Sequence, residues 1–413
     1  MRVNDSSDLD NAAYLALAQE VLASCLCNCS IEHRALRRLV DERAGGVLFS
    51  VVAEGLSDSF EPALCDRYTD IFSRVIAMVR DDVDAAALAE RHRCLTTRVV
   101  TSRPEGVFVL SRVTAGADVV ITSVILNAVK ARFPTTPIVL VGQSKIRDLF
   151  AADPRLQHLA IDYPRRGSVR ARIACSYKLA EFVSKQDWIV IDPDSRLSQL
   201  GLVPICEPEA YYYFPSRTYA SATNKSLTRL TREWVSECLG IANAMPYVAP
   251  DCHSIALRTP AVIVSFGVGG NDQKRMSELF EIGLVSGLIE RGAVVYLDDG
   301  CEPEERARAA RIAAIAGSDS VVLHHGSLGS FTALIQAGAL YIGYDSFGQH
   351  VAAVSTVPYL SIFIGNTSSK FRARWSPTGC GPGYVLHIDG PSSSCVLQQV
   401  FVAVDKLGVL RVR

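Results

Sequence analysis

The chain has 413 residues, 49% of them apolar and 21% charged, with a net charge of −1 and a pI near 6.7. That length suggests two or three domains, and the even charge balance, without a basic stripe, leaves no electrostatic footprint for nucleic acid. No run approaches the roughly 18 apolar residues of a membrane span, and the first twenty residues lack the basic start and apolar core of a secretory signal.

Residues 1–104 read as a mostly helical N-terminal region. "NAAYLALAQEVLASCL" is apolar nearly all round. In "SFEPALCDRYTDIFSRVIAMVR", Phe60, Leu64, Tyr68, Ile71, Phe72 and Val75 recur at helical spacing, and Pro62 fits the first turn. "DAAALAERHRC" is a shorter helix. Twelve cysteines are present, many in apolar surroundings, as in a reduced cytoplasmic protein. Cys25, Cys27 and Cys29 form C-x-C-x-C with His33 as the only nearby histidine. Zinc sites pair C-x2–4-C with a second ligand pair, so these read as packed or exposed thiols and no metal is expected.

From Gly106 the texture changes. "GVFVLS", "PIVLVG", "LQHLAID" and "WIVIDP" are strand-like, and helical stretches such as "DVVITSVILNAVKARF", "SKIRDLFA" and "SVRARIACSYKLAEFVS" separate them. Continuous apolar strands alternating with helices indicate an α/β fold with buried parallel sheets. Residues 201–260, rich in Tyr, Ser and Pro, break the alternation and read as an inter-domain stretch carrying one helix, "LTRLTREWVSECLG". The pattern restarts at Pro260 with "AVIVSFG", "AVVYLDD", "SVVLHH", "ALYIGYD" and "YLSIFIG". Two Rossmann-like domains facing a cleft are expected, at 105–255 and 256–390, with 391–413 as a closing helix packed back across both.

In such sheets ligands bind at the carboxyl ends of the strands. That rule selects Asp118 in "RVTAGADVV" and the "DPDSR" turn with Asp192 and Asp194. It also selects three turns of the second half. "GVGGNDQKR" (267–275) offers Asn271, Lys274 and an anion-binding helix start, against an ordinary turn. "HHGSLGS" offers Ser327 as an N-cap, with His324 and His325 as polar strand-end residues. "DSFGQH" offers Asp345 as N-cap, Ser346 and Gly348 in the first turn, and His350, which a cap does not explain.

"YDSFGQHVAAVSTVPYLSIFIGNTS" followed by "RWSPTG" resembles the C-terminal signature of the ADP-heptose:lipopolysaccharide heptosyltransferases, glycosyltransferase family 9. Asp345, Ser346 and His350 match it; Phe347 stands where glycine is usual, and Gly348 follows. "VFVLSRVTAGADVVITSVILNAVKARFP" is similar to the family's first strand, loop and helix, with Ala117 replacing the usual glycine, and "DWIVIDPDSRLSQL" is similar to its D-x-x-I-D strand. The likeness spans roughly 105–380 and leaves out residues 1–104.

The resemblance implies a GT-B fold, with the acceptor on the first half and the nucleotide sugar, ADP-heptose in the family, on the second. It implies Asp118 as the base of an inverting, metal-independent transfer without cofactor. It implies donor contacts from Asn271, Lys274, Ser327, Asp345, Ser346, Gly348 and His350, with Asp192 and Arg112 in the acceptor-side cleft. The acceptor would be a glycan, lipid-linked or protein hydroxyl. Peripheral membrane contact is expected if it is lipid-linked, although no basic amphipathic helix stands out for it. Three other readings stay open: a UDP-sugar 2-epimerase-like enzyme, a degenerate GT-B scaffold, and a metal-nucleotide D-x-D at 192–194, against which Pro193 and the two-half layout argue.

Overall fold

A computed structural model of the chain describes residues 5–410 except 45, 185–186, 252–254, 270–273, 318, 366–367 and 389–392. The N-terminal region is helical: α1 (Asp5–Leu26), α2 (His33–Val40), a π-helical turn (Leu48–Ala53) running into α3 (Glu54–Ser57), α4 (Pro62–Val79) and α5 (Ala85–Arg93). Pro62 occupies the first turn of α4, where its missing amide costs nothing. Asp84 caps α5 by accepting from the Ala87 amide at 2.7 Å. These helices do not form a detached unit. Leu36, Leu48, Phe72 and Val75 share one core with Phe108, Leu110 and Val190 of the sheet that follows.

That sheet has five parallel strands: β1 (Val107–Leu110), β2 (Ile138–Gly142), β3 (Leu156–Ala160), β4 (Ile189–Asp192) and β5 (Tyr211–Tyr213), in the order β3-β2-β1-β4-β5. Between them run α6 (Ala115–Ala117), a π-helical turn (Asp118–Thr122), α7 (Ser123–Arg132), α8 (Ser144–Arg147) and α9 (Val169–Val183). After β5, α10 (Leu227–Leu239) packs on α7. The second sheet, also parallel, has β6 (Ala261–Ser265), β7 (Val294–Asp298), β8 (Val321–His324), β9 (Leu340–Tyr344), β10 (Tyr359–Ile364) and β11 (Gly383–Ile388) in the order β11-β10-β9-β6-β7-β8. Its helices are α11 (Glu278–Glu290), α12 (Pro303–Ala316), α13 (Leu328–Ala337), α14 (Phe347–Val354), α15 (Ser369–Trp375) and α16 (Ser393–Leu407).

The elements α2, α3, α6, β5, α15 and β11 were not expected from the sequence, and α8 is shorter than "SKIRDLFA". The closing helix α16 lies on α11, β10 and β11 of the second half. Gly283 and Gly287 of α11 explain this seat, because a Cβ there would stand 3.0 Å from Leu397 and 2.2 Å from Phe401 of α16. The two halves meet through apolar side chains. Val119, Val124 and Trp234 of the first half belong to one core with Phe331, Tyr341 and Val351 of the second. The strand ends that carry the candidate site therefore face each other across a closed interface.

Candidate active site

In the first half the chain leaves β1 through Ser111, Arg112 and Val113, and Val113 holds φ at +68°. A β-branched residue pays roughly 1–3 kcal/mol for that backbone. The turn is held by Asp118, at the start of the π-helical turn. Its Oδ1 accepts from the Arg112 amide at 2.7 Å and from Thr122 Oγ1 at 2.6 Å, and its Oδ2 from Ser111 Oγ at 2.8 Å. Asp118 is fully buried. Burial pushes its pKa up to about 6, against the three hydrogen bonds that favour the anion. A carboxylate poised there can exchange a proton near neutral pH.

Asp192 and Arg112 do not line an open cleft. Asp192, also fully buried, accepts from the Ser195 amide at 2.7 Å and from Tyr211 Oη at 2.6 Å, and burial raises its pKa to about 6. The Arg112 guanidinium points under the β4 turn, donating to the Pro193 carbonyl at 3.0 Å and lying 3.3 Å from Asp194 Oδ2. Burial first, and then Arg217, lower its pKa to about 10. Arg217 reaches Asp194 at 2.8 Å and Asp58 of the N-terminal region at 3.0 Å. Asp194 is thus a partner of two buried arginines. Both aspartates of the D-x-D are engaged by neighbouring side chains, Asp192 by Tyr211 and Asp194 by Arg112, Arg217 and Tyr213. In the Cys25, Cys27 and Cys29 stretch, Cys25 is buried and the other two are exposed.

In the second half, Lys274 Nζ lies 2.7 Å from Asp345 Oδ2 and 5.1 Å from the centre of the Phe371 ring. Gln349 Nε2 donates to Asp345 Oδ1 at 2.7 Å, and Ser361 Oγ donates to Gln349 Oε1. His350 Nε2 stands 3.4 Å from Gln349 Nε2, while its Nδ1 is buried with no hydrogen-bond partner. Burial lowers the His350 pKa to about 4; Asp345 opposes the shift and Lys274 adds to it. The ring is therefore neutral at pH 7. Tyr344 fixes the Lys274 segment from beneath: its Oη accepts from the Met276 amide at 3.2 Å and donates to Glu281 at 2.8 Å.

Local structure accounts for three of the expected residues. Ser346, not Asp345, is the N-cap of α14, and its hydroxyl makes no capping bond; Asp345 is taken by Lys274 and Gln349. Gly348 makes room for Tyr341, whose Oη would lie 2.3 Å from a Cβ at that position. Ser327 is an ordinary N-cap, accepting from the Ser330 amide at 3.2 Å. Asn271 lies outside the described residues. His324 and His325 face Asp298 and Asp299 at 3.9 and 3.2 Å.

The two sets of loops touch. A Cβ built on Gly116 would stand 3.2 Å from His350 Cδ2. Sequence reasoning missed two further contributors. Lys145, after β2, has its pKa lowered by burial and by Arg165, while Cys301 of the second half and Asp118 oppose the shift, so a cation lies in the field of the candidate base. Phe60, at φ +59°, inserts from the N-terminal region beside Phe371 and Trp375 of α15 at centroid distances of 6.3 and 6.4 Å. The only sequence signal for Phe60 was its place in an apolar helical pattern, which says nothing of a neighbour 311 residues away (Phe60 to Phe371).

A family model described as glycosyltransferase family 9 (heptosyltransferase) matches residues 278–380, from α11 past α15. A glycosyltransferase family 9 structure from Veillonella parvula is 16% identical with a TM-score of 0.59, covering 75% of this chain and 98% of that one. E. coli heptosyltransferase WaaC with ADP is 17% identical, TM-score 0.55, covering 73% and 99%. E. coli ADP-heptose lipopolysaccharide heptosyltransferase II is 15% identical, TM-score 0.51, covering 73% and 98%. No curated protein sequence matches. At these identities the structures show the fold, which is GT-B, and with the family match they support glycosyltransferase activity. The chain resembles family 9 over its second half, and about a quarter of it has no counterpart in these structures. No helix among the described residues is long and apolar enough to cross a membrane.

Proposed function

We propose that this protein is a glycosyltransferase that moves a heptose or hexose from a nucleotide-diphosphate donor to a hydroxyl of a glycan, lipid-linked or protein acceptor. The observation that carries the reading is the opposition of two loops across Gly116: the Lys274–Asp345–Gln349–His350 group of the second half and the buried Asp118 of the first. Asp118 takes the proton of the acceptor hydroxyl, and the oxygen forms its bond to the anomeric carbon from the face opposite the leaving group. The bond from that carbon to the diphosphate breaks, and the nucleotide leaves with both electrons. Lys274 offsets the charge that grows on the departing phosphate, and the neutral His350 donates a hydrogen bond to it, so the step asks for no metal. Lys145 and Arg165 favour an acceptor carrying negative charge near the reacting hydroxyl. The donor proposed is ADP-heptose, because the neighbouring structures are described with ADP and as ADP-heptose transferases. The halves must part for substrates to enter, as Asp118 and His350 are both buried.

The test is a thermal-shift panel of ADP, GDP, UDP, CDP and their sugars, with and without EDTA, followed by transfer assays with the stabilising donor. A binder raises Tm through RT ln(1 + [L]/Kd). A metal-independent shift with one nucleotide class, lost in Lys274→Ala, supports the reading; no shift with any nucleotide overturns it. One observation favours a second reading, a binding scaffold: the complete burial of Asp118 beneath the joined halves. If Asp118→Asn keeps the biological activity, the scaffold reading replaces the enzyme.

A further inference from the structure

The N-terminal region carries a charged face that the transfer reaction does not use. In α2, "HRALRRLV", Leu36, Leu39 and Val40 are buried against the core. Arg34, Arg37 and Arg38 stand on the opposite side at the i, i+3, i+4 spacing that lines one helix face. All three are exposed, and their side chains make no hydrogen bond or ion pair among the described residues. The helix holds no acid. Two further arginines continue the patch from α4: Arg67 donates to the Cys29 carbonyl at 3.4 Å and Arg74 to the Ile31 carbonyl at 3.1 Å. They clasp the Cys27–Ile31 loop, whose approach presents Leu26, 57% exposed, and the exposed thiols of Cys27 and Cys29. This is the basic amphipathic helix that the sequence reading did not find. Eight residues are too few for a convincing period, and the neutral whole-chain charge hides a local excess.

We infer that the Arg34–Arg37–Arg38 face of α2, with the Leu26–Ile31 loop beside it, docks the protein onto an anionic lipid bilayer. Guanidinium groups without protein partners are free to pair with lipid phosphates, and a juxtaposed leucine can enter the headgroup layer. A nucleic acid would be met by a longer cationic track with stacking aromatics, and this face carries no Phe, Tyr or Trp. The surface belongs to the part of the chain that reaches the donor half. α4 starts at Pro62, next to Glu61, which pairs with Lys370 at 2.9 Å. At 1.5 Å per residue, Arg67 sits roughly 9 Å along from Glu61. Docking there holds the closed interface close to the bilayer surface, as a lipid-linked acceptor requires; only this purpose rests on the proposed function, and the binding itself does not.

The test is co-sedimentation of the full chain with phosphatidylcholine vesicles, with and without phosphatidylglycerol, and no sugar nucleotide added. The expected result is binding that requires phosphatidylglycerol and weakens with added salt. The triple variant Arg34→Ala, Arg37→Ala, Arg38→Ala should lose roughly a hundredfold in affinity while melting as the wild type does. Leu26→Asp should weaken what binding survives at high salt. Equal binding to neutral vesicles, wild-type binding by the triple variant, or tighter binding to a single-stranded RNA than to anionic vesicles would each overturn the inference. A failure of the nucleotide panel with vesicle binding intact would remove the proposed enzyme and leave the docking surface standing.

Discussion

His350 of the second half rests on Gly116 of the first, with its Cδ2 3.2 Å from the place a Cβ would take. That contact joins the Asp345–His350 loop to the turn that presents Asp118. Gly116 has no positive φ to require a glycine, so a side chain there is resisted by space alone. Gly116→Val drives a branched side chain into a closed interface and should cost about 1–3 kcal/mol. A lower Tm with unchanged secondary structure is the expected reading. A variant that melts with the wild type would show that the halves are not closed in solution.

Asp118 gives a pH signature. With a pKa raised to about 6 by burial, it is ionised, and able to accept a proton, only above that pH. kcat/KM should climb as pH rises through about 6 and level off beyond it. Asp118→Asn should lower kcat by roughly 10²–10⁴-fold and leave nucleotide affinity in place. Activity that is flat between pH 5 and 8, measured with the donor found in the panel, would remove Asp118 from the role of base.

The Lys274–Asp345 ion pair, at 2.7 Å and only partly exposed, sets up opposite effects on anion binding. Lys274→Ala removes the cation and should weaken binding of a free nucleoside diphosphate by roughly ten- to a hundredfold. Asp345→Asn leaves the same cation without its counter-charge and should tighten that binding while lowering Tm. Titration calorimetry on both variants decides it. Equal losses in both would mean that the pair only builds the loop.

His350 and the two buried aspartates pull stability in opposite directions with pH. The folded pKa of His350 is depressed from 6.5 to about 4, so the unfolded chain binds more protons between those values and stability rises with pH across that window. Asp118 and Asp192 are raised from 3.8 to about 6, so the folded chain holds the extra protons and stability falls as pH rises through the same range. His350→Gln removes only the first effect. The stability gap between wild type and variant should grow by about 3 kcal/mol from pH 4 to 6.5. Denaturant midpoints measured across that range check it, and a constant gap would mean that His350 is solvated.

The parallel architecture was legible because buried strands such as "AVIVS" and "LYIGY" read as unbroken apolar runs, whereas β5 was not. Its three tyrosines look like surface aromatics, and only the fold reveals that Tyr211 and Tyr213 turn their hydroxyls onto Asp192 and Asp194. The site divides in the same way. Asp118 and Asp345 follow strands, as chain order predicts; Lys274 pairs with Asp345, and His350 rests on Gly116, two residues before Asp118. Arg112 and Asp192 satisfy the same positional rule yet point into the protein, because whether a charged residue at a strand end faces a cleft or a neighbouring turn depends on the partners that the fold brings to it, Pro193 for Arg112 and Tyr211 for Asp192. Spacing could not distinguish Asp345 from Ser346 as the cap, since both residue types suit it. Phe60 and α2 were hidden for a related reason: what they do depends on the surface that they meet.

Phe60 has one more consequence, for the tempo of the molecule. Two lobes joined by a linker can swing freely, but here the N-terminal region grips each of them. Asp58 holds Arg217 on one side, and Phe60 and Glu61 hold α15 on the other. An opening that parts Phe60 from α15 draws a buried aromatic ring out of its socket into water. Such a step, remote from bond making, can set the turnover of an enzyme. Phe60→Ala should then quicken amide exchange at Val351–Ala353, on the seam between the lobes, at some loss of stability. The N-terminal region would thus serve as the clock of this molecule.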